Sequence, residues 1–235
     1  MKRIVIMVCS DFEWKYVLSE FYDIRLNVSP YGKWFIHSLS HNKENQQVIW
    51  FKSGWGKIGS AGATQYVIDT FAPGLIINIG SCGGFKGWID QGEVVLINET
   101  VVYDMIDLIG KSGKSIEFYK SSIDYSWLKD KTILRLPTAV IVTGDQDLNP
   151  DRIIELNDKY GAVVGDWESG AIAWVAAKNE TKLMILRGVS DLVGIDGNDA
   201  YSEDENVFDK AVKIVMDKLL TLTTHFLKNI CDGRA

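Results

Sequence analysis

Two short motifs carry acidic side chains to positions where α/β proteins commonly bind small molecules. Glu168 lies in residues 165–171 (GDWESGA), which follow an apolar strand-like run and open a helix. Asp191 lies in residues 187–191 (RGVSD), which close a second apolar run. Ligands of open α/β sheets bind outside the carboxyl ends of the strands, so we expect both carboxylates at one edge of the sheet. Two acids in that position can carry out acid–base chemistry on a small polar molecule.

Each acid also has a purely structural interpretation. An acid at the beginning of a helix often caps the helix or interacts with its dipole, and an acid after a strand often forms a turn. A third acid, Glu13, follows the first apolar run at the start of the first predicted helix, where both interpretations apply again. The recurrence of acids at equivalent places along the chain favours a shared site.

The composition restricts the class of protein. The chain has 235 residues, of which 46% are hydrophobic, and a formal net charge of −6. It can therefore form a substantial core, and we expect one domain over residues 1–235. The negative charge argues against a general nucleic-acid binder. No apolar run approaches the ~20 residues of a membrane span, so neither nucleic acid nor membrane is expected as a partner.

The cysteines and histidines indicate a reducing environment and no metal. The three cysteines are scattered without a Cys-x-x-Cys motif, which predicts neither a disulfide framework nor a zinc site and fits a cytoplasmic location. The N-terminal apolar run is short and passes directly into Ser10, so it predicts a strand instead of a signal peptide. The three histidines lack metal-ligand spacing, and we expect neither a metal nor a cofactor.

Strand-length apolar runs alternate with helical patterns along the chain. The predicted strands are residues 3–9, 47–52, 75–79, 93–97, 139–142, 162–164 and 182–189, and the predicted helices are residues 11–21, 57–71, 151–160, 169–179 and 203–229. Residues 24–28 and 34–39 predict an antiparallel hairpin. The alternation predicts an α/β fold whose mostly parallel or mixed sheet is covered by helices on both faces. The hydrophilic residues 111–130 predict a loop at the active site, at an interface or in solvent.

Two glycine-rich motifs follow predicted strands. Residues 54–59 (GWGKIG) match the dinucleotide-binding fingerprint, but the acid that this fingerprint requires at the end of the next strand is absent. These glycines therefore predict a tight turn with close backbone approach. Residues 80–84 (GSCGG) predict a turn whose N–H groups, with the Ser81 hydroxyl, face a bound oxygen atom. Cys82 within it is predicted to be a small buried residue instead of a nucleophile.

Taken in order, these motifs resemble those of the purine nucleoside phosphorylase/nucleosidase superfamily, and the chain is most similar to its nucleosidases. The resemblance covers most of the chain and rests on Glu13, residues 53–57 (SGWGK), 76–84 (IINIGSCGG), 92–95 (GEVV), 103–104 (YD), 142–145 (VTGD) and the two carboxylate motifs. It implies a three-layer α/β/α sandwich with a mixed central sheet. It also implies a homodimer.

The resemblance further implies hydrolysis of the N-glycosidic bond of a purine nucleoside, of the 5′-methylthioadenosine or S-adenosylhomocysteine kind, to adenine and a ribose derivative. Asp191 would protonate purine N7, with Ser190 orienting it. Glu168 would hold the ribose hydroxyls and stabilise the positively charged sugar, and Glu13 would activate the attacking water. The chemistry of the bond requires the same three functions, because the base is a poor leaving group and the sugar carbon becomes electron-poor. Substrate-binding roles are implied for Ser81, Leu148 and Arg187.

Two alternatives follow from departures in the motifs. Phosphorylases of the superfamily carry a phosphate-binding arginine three residues before the serine, where this chain has Asn78. A dianion without a guanidinium is poorly held, which favours water as nucleophile. Lys52 or Lys57 could still bind phosphate, so a phosphate-dependent phosphorylase is the first alternative.

The second alternative is a nucleoside-binding protein without turnover. Asp147 stands where bacterial nucleosidases usually carry an aromatic residue that stacks on adenine, and Trp167 stands where they carry a methionine beside the sugar. Asp147 would either hydrogen-bond an amine or N–H group of the base or face solvent. Trp167 would stack on the sugar or narrow the 5′ pocket, which also leaves open a differently 5′-modified purine nucleoside.

Overall fold

The computed structural model describes residues 3–41, 44–106, 114–195, 197–198 and 205–231. In this part of the chain the strands are β1 (Ile4–Val8), β2 (Asn27–Ser29), β3 (Gly32–His41), β4 (Glu44–Lys52), β5 (Leu75–Phe85), β6 (Val94–Val102), β7 (Ser121–Ser122), β8 (Thr138–Thr143), β9 (Ala162–Asp166), β10 (Leu183–Gly194) and β11 (Gly197–Asn198). The helices are α1 (Asp11–Ser19), α2 (Gly56–Phe71), α3 (Lys114–Tyr119), α4 (Ile153–Tyr160), α5 (Ser169–Lys178) and α6 (Glu205–Cys231).

The strands form one mixed sheet whose centre is β5. On one side β1 pairs in parallel with both β5 and β4, and β3 and β2 follow as antiparallel strands. On the other side β5 pairs in parallel with β10, which is antiparallel to β6, and β6 and β8 continue in parallel to β9. Since β9 pairs back onto the end of β5, these five strands close a ring. The mixed sheet is confirmed, whereas the ring was not predicted.

Helices cover both faces of the sheet. Successive side chains of a strand point to opposite faces, and apolar side chains on both faces need a helical layer on each. In β1, Ile6 packs in the core cluster that includes residues of α1 and α6, and Met7 packs in the cluster that includes residues of α2 and α5. Both side chains have no exposed area. The predicted α/β/α layering is therefore confirmed. No helix in the described ranges is long and apolar enough to cross a membrane.

The glycine-rich residues 80–84 do not form the predicted turn. They are the second half of β5. Gly83 and Gly84 pair with Gly165 and Val164 of β9 on one side and with residues of β10 on the other. A Cβ atom on Gly83 or Gly165 would lie within 3 Å of the Leu148 side chain. The glycines therefore provide close packing inside the ring, which a turn prediction from composition misses.

Most other predicted elements are confirmed with small shifts at their ends. The hairpin is present, with Asn27–Ser29 paired antiparallel to Gly32–Trp34. The tight turn at the 54–59 motif is also present, because Gly56 has a φ of +75° at the start of α2. In the hydrophilic stretch 111–130, residues 111–113 lie outside the described part of the chain, and the rest contains α3 and β7.

Candidate active site

A cavity of about 310 Å³ opens where β5, β9 and β10 meet the N-terminus of α1. Its lining contains the sequence-predicted residues Glu13, Ser81, Asp147, Leu148, Trp167, Glu168, Ser190 and Asp191. The structure thus brings together three carboxylates that are far apart in the chain. Its lining also includes residues that were not predicted, namely Ser10, Phe12, Trp55, Cys82, Gly83, Gln146, Gly165, Asp166, Val193 and Phe208.

Glu13 connects the first turn of α1 to β5. Its Oε2 atom accepts a hydrogen bond from the backbone N–H of Ser10 (3.1 Å), while the Ser10 hydroxyl accepts from the N–H of Glu13, which completes a capping box. Its Oε1 atom accepts from the N–H (2.6 Å) and the hydroxyl (2.9 Å) of Ser81. Gly80 permits this approach, because a Cβ atom there would lie 2.8 Å from Oε1. The structural interpretation of Glu13 as a capping residue therefore holds alongside its place in the cavity.

Glu168 occupies the position before α5 but does not cap that helix. Its Oε1 atom instead accepts a hydrogen bond from the N–H of Gly56 (2.9 Å), at the N-terminus of α2. Burial raises the pKa of Glu168 to about 8, and the nearby negative charge of Asp166 acts in the same direction. The contact with Gly56 opposes this shift, because a hydrogen bond to the carboxylate favours its charged form.

Asp191 lies within β10, although the sequence predicted that it follows the strand. The register between β10 and β5 shifts between Val189 and Asp191, so the pairing is irregular at Ser190, as in a β-bulge. Bulges commonly redirect side chains beside functional sites. Here the Ser190 hydroxyl donates a hydrogen bond to Asp191 Oδ1 (2.6 Å), and Gln91 donates to the Ser190 carbonyl (2.7 Å).

Arg187 does not line the cavity, contrary to its predicted role in substrate binding. Its side chain is 2% exposed and lies behind the cavity wall, where Nε donates to Asp166 Oδ2 (3.0 Å) and Nη2 donates to Asn78 Oδ1. Asp166 was not predicted, although it stands in the same motif as Glu168. Its carboxylate also accepts from the N–H and hydroxyl of Ser169, so the capping role expected of Glu168 belongs to Asp166.

The cations considered for phosphate binding are engaged elsewhere. Lys52 pairs with Asp11, and Lys57 pairs with Asp104 and Asp145. Among the described residues, the cavity lining contains no lysine, arginine or histidine. A search restricted to the same residues finds no group of three His, Cys, Asp or Glu side chains arranged to hold a metal ion.

Aromatic pairs complete the cavity. The rings of Trp167 and Trp55 meet edge to face at 6.4 Å, and those of Phe12 and Phe208 at 5.8 Å. Asp147 is exposed. Phe208 lies on the amphipathic last helix, which the sequence indicated only as a core-packing element. No period or motif in the sequence distinguishes Phe12 and Phe208 from core aromatics, whereas Trp55 stands in the motif of residues 54–59, which was interpreted only as a tight turn.

A mixed sheet between helical layers, with an acid-lined cavity beside its central strands, defines an α/β protein that acts on a small polar ligand. The chain belongs to the phosphorylase superfamily, whose family model matches residues 3–227.

Named relatives agree with this assignment. The chain is 28% identical over 197 residues to the 5′-methylthioadenosine/S-adenosylhomocysteine nucleosidase of Geobacillus sp. (strain WCH70), covering 77% of this chain and 82% of that protein. Its fold is similar to the Streptococcus pneumoniae MTA/SAH nucleosidase in complex with 8-aminoadenine (TM-score 0.76, 18% identity, 96% and 99% of the two chains). It is also similar to a mutant futalosine hydrolase of Helicobacter pylori (TM-score 0.74, 18% identity, 96% and 100%).

Proposed function

We propose that this protein is a purine nucleosidase that hydrolyses the N-glycosidic bond of 5′-methylthioadenosine and S-adenosylhomocysteine-like nucleosides, releasing adenine and a ribose derivative. The observation that carries the proposal is the convergence of Glu13, Glu168 and Asp191 on one cavity. The names of its sequence relatives support the same activity.

Each acid has a step that its surroundings suit. The Asp191 carboxyl, oriented by Ser190, donates a proton to purine N7 as the bond between C1′ and N9 breaks and its electron pair passes to the base. The Glu168 carboxylate holds ribose hydroxyls and stabilises the positive charge that develops on the sugar. Glu13, fixed by Ser81, accepts a proton from the water whose oxygen bonds to C1′. Proton acceptance leaves the ribose with a new hydroxyl group.

The charge of the cavity favours water over phosphate as the nucleophile. A phosphate dianion needs cationic or multiple N–H partners, and Lys52 and Lys57 are paired with carboxylates. The acids of the lining would repel a dianion further. A phosphorylase therefore has less support than a hydrolase.

The aromatic pairs support a thioether at the 5′ position of the substrate. Thioether sulfur atoms make favourable contacts with aromatic rings at about 5 Å. Trp55 with Trp167 and Phe12 with Phe208 supply such rings in the lining. Asp147, which is exposed in the lining, has acceptors for an amine or N–H group of the base.

We also propose a homodimer of single-domain subunits that acts in the cytoplasm. Three large apolar side chains are exposed: Trp55 (54%), Ile58 (88%) and Ile106 (72%). An ion pair between Lys57 and Asp104 joins the segment that contains Trp55 and Ile58 to the segment that contains Ile106. Large exposed apolar side chains that lie together on one surface are typical of protein interfaces. Light scattering of the wild type and of Ile58→Asp tests the dimer. We expect a dimer for the wild type and a monomer for the variant.

The thiols of Cys9 and Cys82 are free and buried, which suits a reducing compartment.

The activity is tested by incubating purified protein with a panel of purine nucleosides, with and without inorganic phosphate, and measuring released base and sugar products. We expect adenine and an unphosphorylated ribose derivative from 5′-methylthioadenosine in both buffers. A phosphorylated sugar would establish the phosphorylase. Stabilisation of the protein by nucleosides without any product would establish a binding protein.

A further inference from the structure

The N-terminus of α2 is held by acids from other parts of the chain. Trp55, which precedes the helix, makes no side-chain hydrogen bond to the first N–H groups, which have no partner within the helix. The N–H of Gly56 instead donates to Glu168 Oε1 (2.9 Å). The N–H of Lys57 donates to Asp145 Oδ1 (2.8 Å). Two carboxylates that follow β8 and β9 therefore serve as the N-cap of α2.

The Asp145 carboxylate is fixed by its surroundings. Its Oδ2 atom lies 3.5 Å from Nζ of Lys57, whose ammonium group also pairs with Asp104. Asp104 Oδ2 in turn accepts a hydrogen bond from the backbone N–H of Asp145 (2.9 Å). Gly56 lets the carboxylate approach the helix, because a Cβ atom there would lie 2.8 Å from Asp145 Oδ1. A side chain that is 45% exposed is thus held against the first turn of α2.

The first turn of α2 connects Asp145 to Glu168. The N–H groups of Gly56 and Lys57 are adjacent in the chain, so the acid that holds one of them also orients the other. The hydrogen bond from Gly56 favours the charged form of Glu168, against burial and the charge of Asp166. The charged form is the one that stabilises a positive sugar.

We propose that Asp145 is a positioning residue for the reaction: it caps α2 from outside the helix and thereby keeps the Gly56 N–H on the Glu168 carboxylate. Among the described residues, Gln146 and Asp147 line the cavity and Asp145 does not, so its effect passes through the helix. The inference rests on the proposed nucleosidase activity, in which Glu168 stabilises the sugar cation.

The direction of one pKa change separates positioning from an effect of charge. Removing the negative charge of Asp145 would by itself lower the pKa of Glu168, because a nearby like charge raises it. Losing the Gly56 hydrogen bond would raise that pKa, because the charged form loses a donor. The other ionisable groups around Glu168 and the α2 terminus are the same in every variant, namely Cys9, Glu13, Lys57, Asp104, Asp166 and Arg187.

The test compares Asp145→Ala, which removes the acceptor, with Asp145→Asn, which keeps an oxygen that can cap a helix but removes the charge. Asp145→Leu repeats the removal of the acceptor if the alanine variant fails to fold. Asp158→Ala, at an exposed position in α4, is the control. The pKa of Glu168 is measured from the ¹³C carboxyl signal of glutamate-labelled protein, identified by its absence in Glu168→Gln. The pH profile of kcat/KM for base release is measured alongside.

We expect Asp145→Ala to raise the pKa of Glu168 by about one pH unit, since a hydrogen bond to a charged group has that magnitude. At neutral pH kcat/KM should then fall about tenfold, and its rise should move to higher pH. Asp145→Asn and Asp158→Ala should both stay near the wild type.

A Glu168 pKa in Asp145→Ala equal to or below that of the wild type would overturn the proposal. An upward shift of the same size in Asp145→Asn would also overturn it, since asparagine keeps the acceptor. A merely structural role would lower the thermal midpoint and leave the pH profile in place, which contradicts the proposal too. Failure of the proposed function is distinguishable, because the NMR titration still tests Asp145 in a protein that releases no base from any nucleoside.

Discussion

The two carboxylate oxygen atoms of Glu13 accept hydrogen bonds from two different elements of the fold. Oε1 accepts two from Ser81 in β5, and Oε2 accepts one from the N–H of Ser10 at the start of α1. The carboxylate therefore joins a helix terminus to the central strand at the cavity. One side chain thus contributes both to the local structure of α1 and to the proposed chemistry.

Glu13→Gln should separate these two contributions. Glutamine is accepted at this capping-box position, so we expect the fold to be retained. It cannot take a proton from water, so we expect kcat to fall by about 10²-fold or more. Base-release assays and thermal melts measure the two effects. Glu20→Gln, the same exchange at the exposed end of α1, is the control, and a Glu13→Gln enzyme as fast as that control would exclude Glu13 as the base.

The activity should increase with pH as Glu168 ionises. Burial, followed by the charge of Asp166, raises the pKa of Glu168 to about 8, so the free enzyme holds this carboxyl protonated near neutrality. Stabilisation of a cationic sugar requires the carboxylate, so kcat/KM should rise between pH 6 and about 8. Glu168→Gln should be slow at every pH. A wild-type profile that is flat or falls over this range would contradict the assignment.

The same group should make stability decrease with pH. Folding raises the pKa of Glu168 from 4.5 to about 8, so the folded state binds a proton that the unfolded state releases. This contribution is fully present below pH 4.5 and is lost as pH rises to about 8. Urea unfolding across that range should show a smaller decline for Glu168→Gln than for wild type. Parallel curves for the two proteins would argue against the shift.

Asp191→Asn should remove the proton that activates the leaving base. We expect kcat to fall by about 10²-fold or more, since general acid catalysis has that magnitude. Ser190→Ala should have a smaller effect, because it removes only the hydrogen bond that orients Asp191. Single-turnover base release measures both. Asp90→Asn, at an exposed position, is the charge-matched control, and equal rates for the Asp90 and Asp191 variants would remove Asp191 from its role.

Gly80→Ala should displace Glu13 without changing its chemistry. The added methyl group would lie 2.8 Å from Glu13 Oε1, so the carboxylate must move away from Ser81. We expect a loss of about 1–3 kcal/mol in the free energy of unfolding, typical of overpacking, together with reduced kcat. Gly54→Ala is the control, because its Cβ would meet nothing within 4 Å. Normal turnover in Gly80→Ala would mean that the Glu13–Ser81 contact is dispensable.

The sequence predicted the layers, and it predicted that the three acids lie close together, because hydrophobic period and motif position report burial and the edge of a sheet. The strand end was wrong for Asp191, which lies within β10. Residues 3–9 predicted a strand, which the structure has at Ile4–Val8. Ile6 and Met7 face opposite helical layers, as a strand buried on both faces requires. Glu13 and Glu168 follow closely after the ends of β1 and β9. Their positions in the sequence were therefore enough to predict that both carboxylates lie at one edge of the sheet.

The closed ring and the location of Arg187 could not be predicted, because both depend on contacts between distant residues. Residues 80–84 have the composition of a turn, and only their pairing with both β9 and β10 makes them a strand. Arg187 precedes Ser190 and Asp191 by a few residues, but the side-chain directions in β10 separate them. Its position is set by Asn78 and Asp166, which no local pattern connects to it.

The cavity takes residues from α1 near the beginning of the chain and from α6 near its end. Proteins with many such distant contacts fold more slowly than proteins with mainly local ones. A nascent or truncated polypeptide ending before β10 therefore lacks Asp191, the proposed proton donor, and one beginning after α1 lacks Glu13, the proposed water-activating acid. Base release therefore requires a chain that includes both α1 and β10 and has folded. An assay of base release in a cell lysate should detect such molecules and not incompletely synthesised chains.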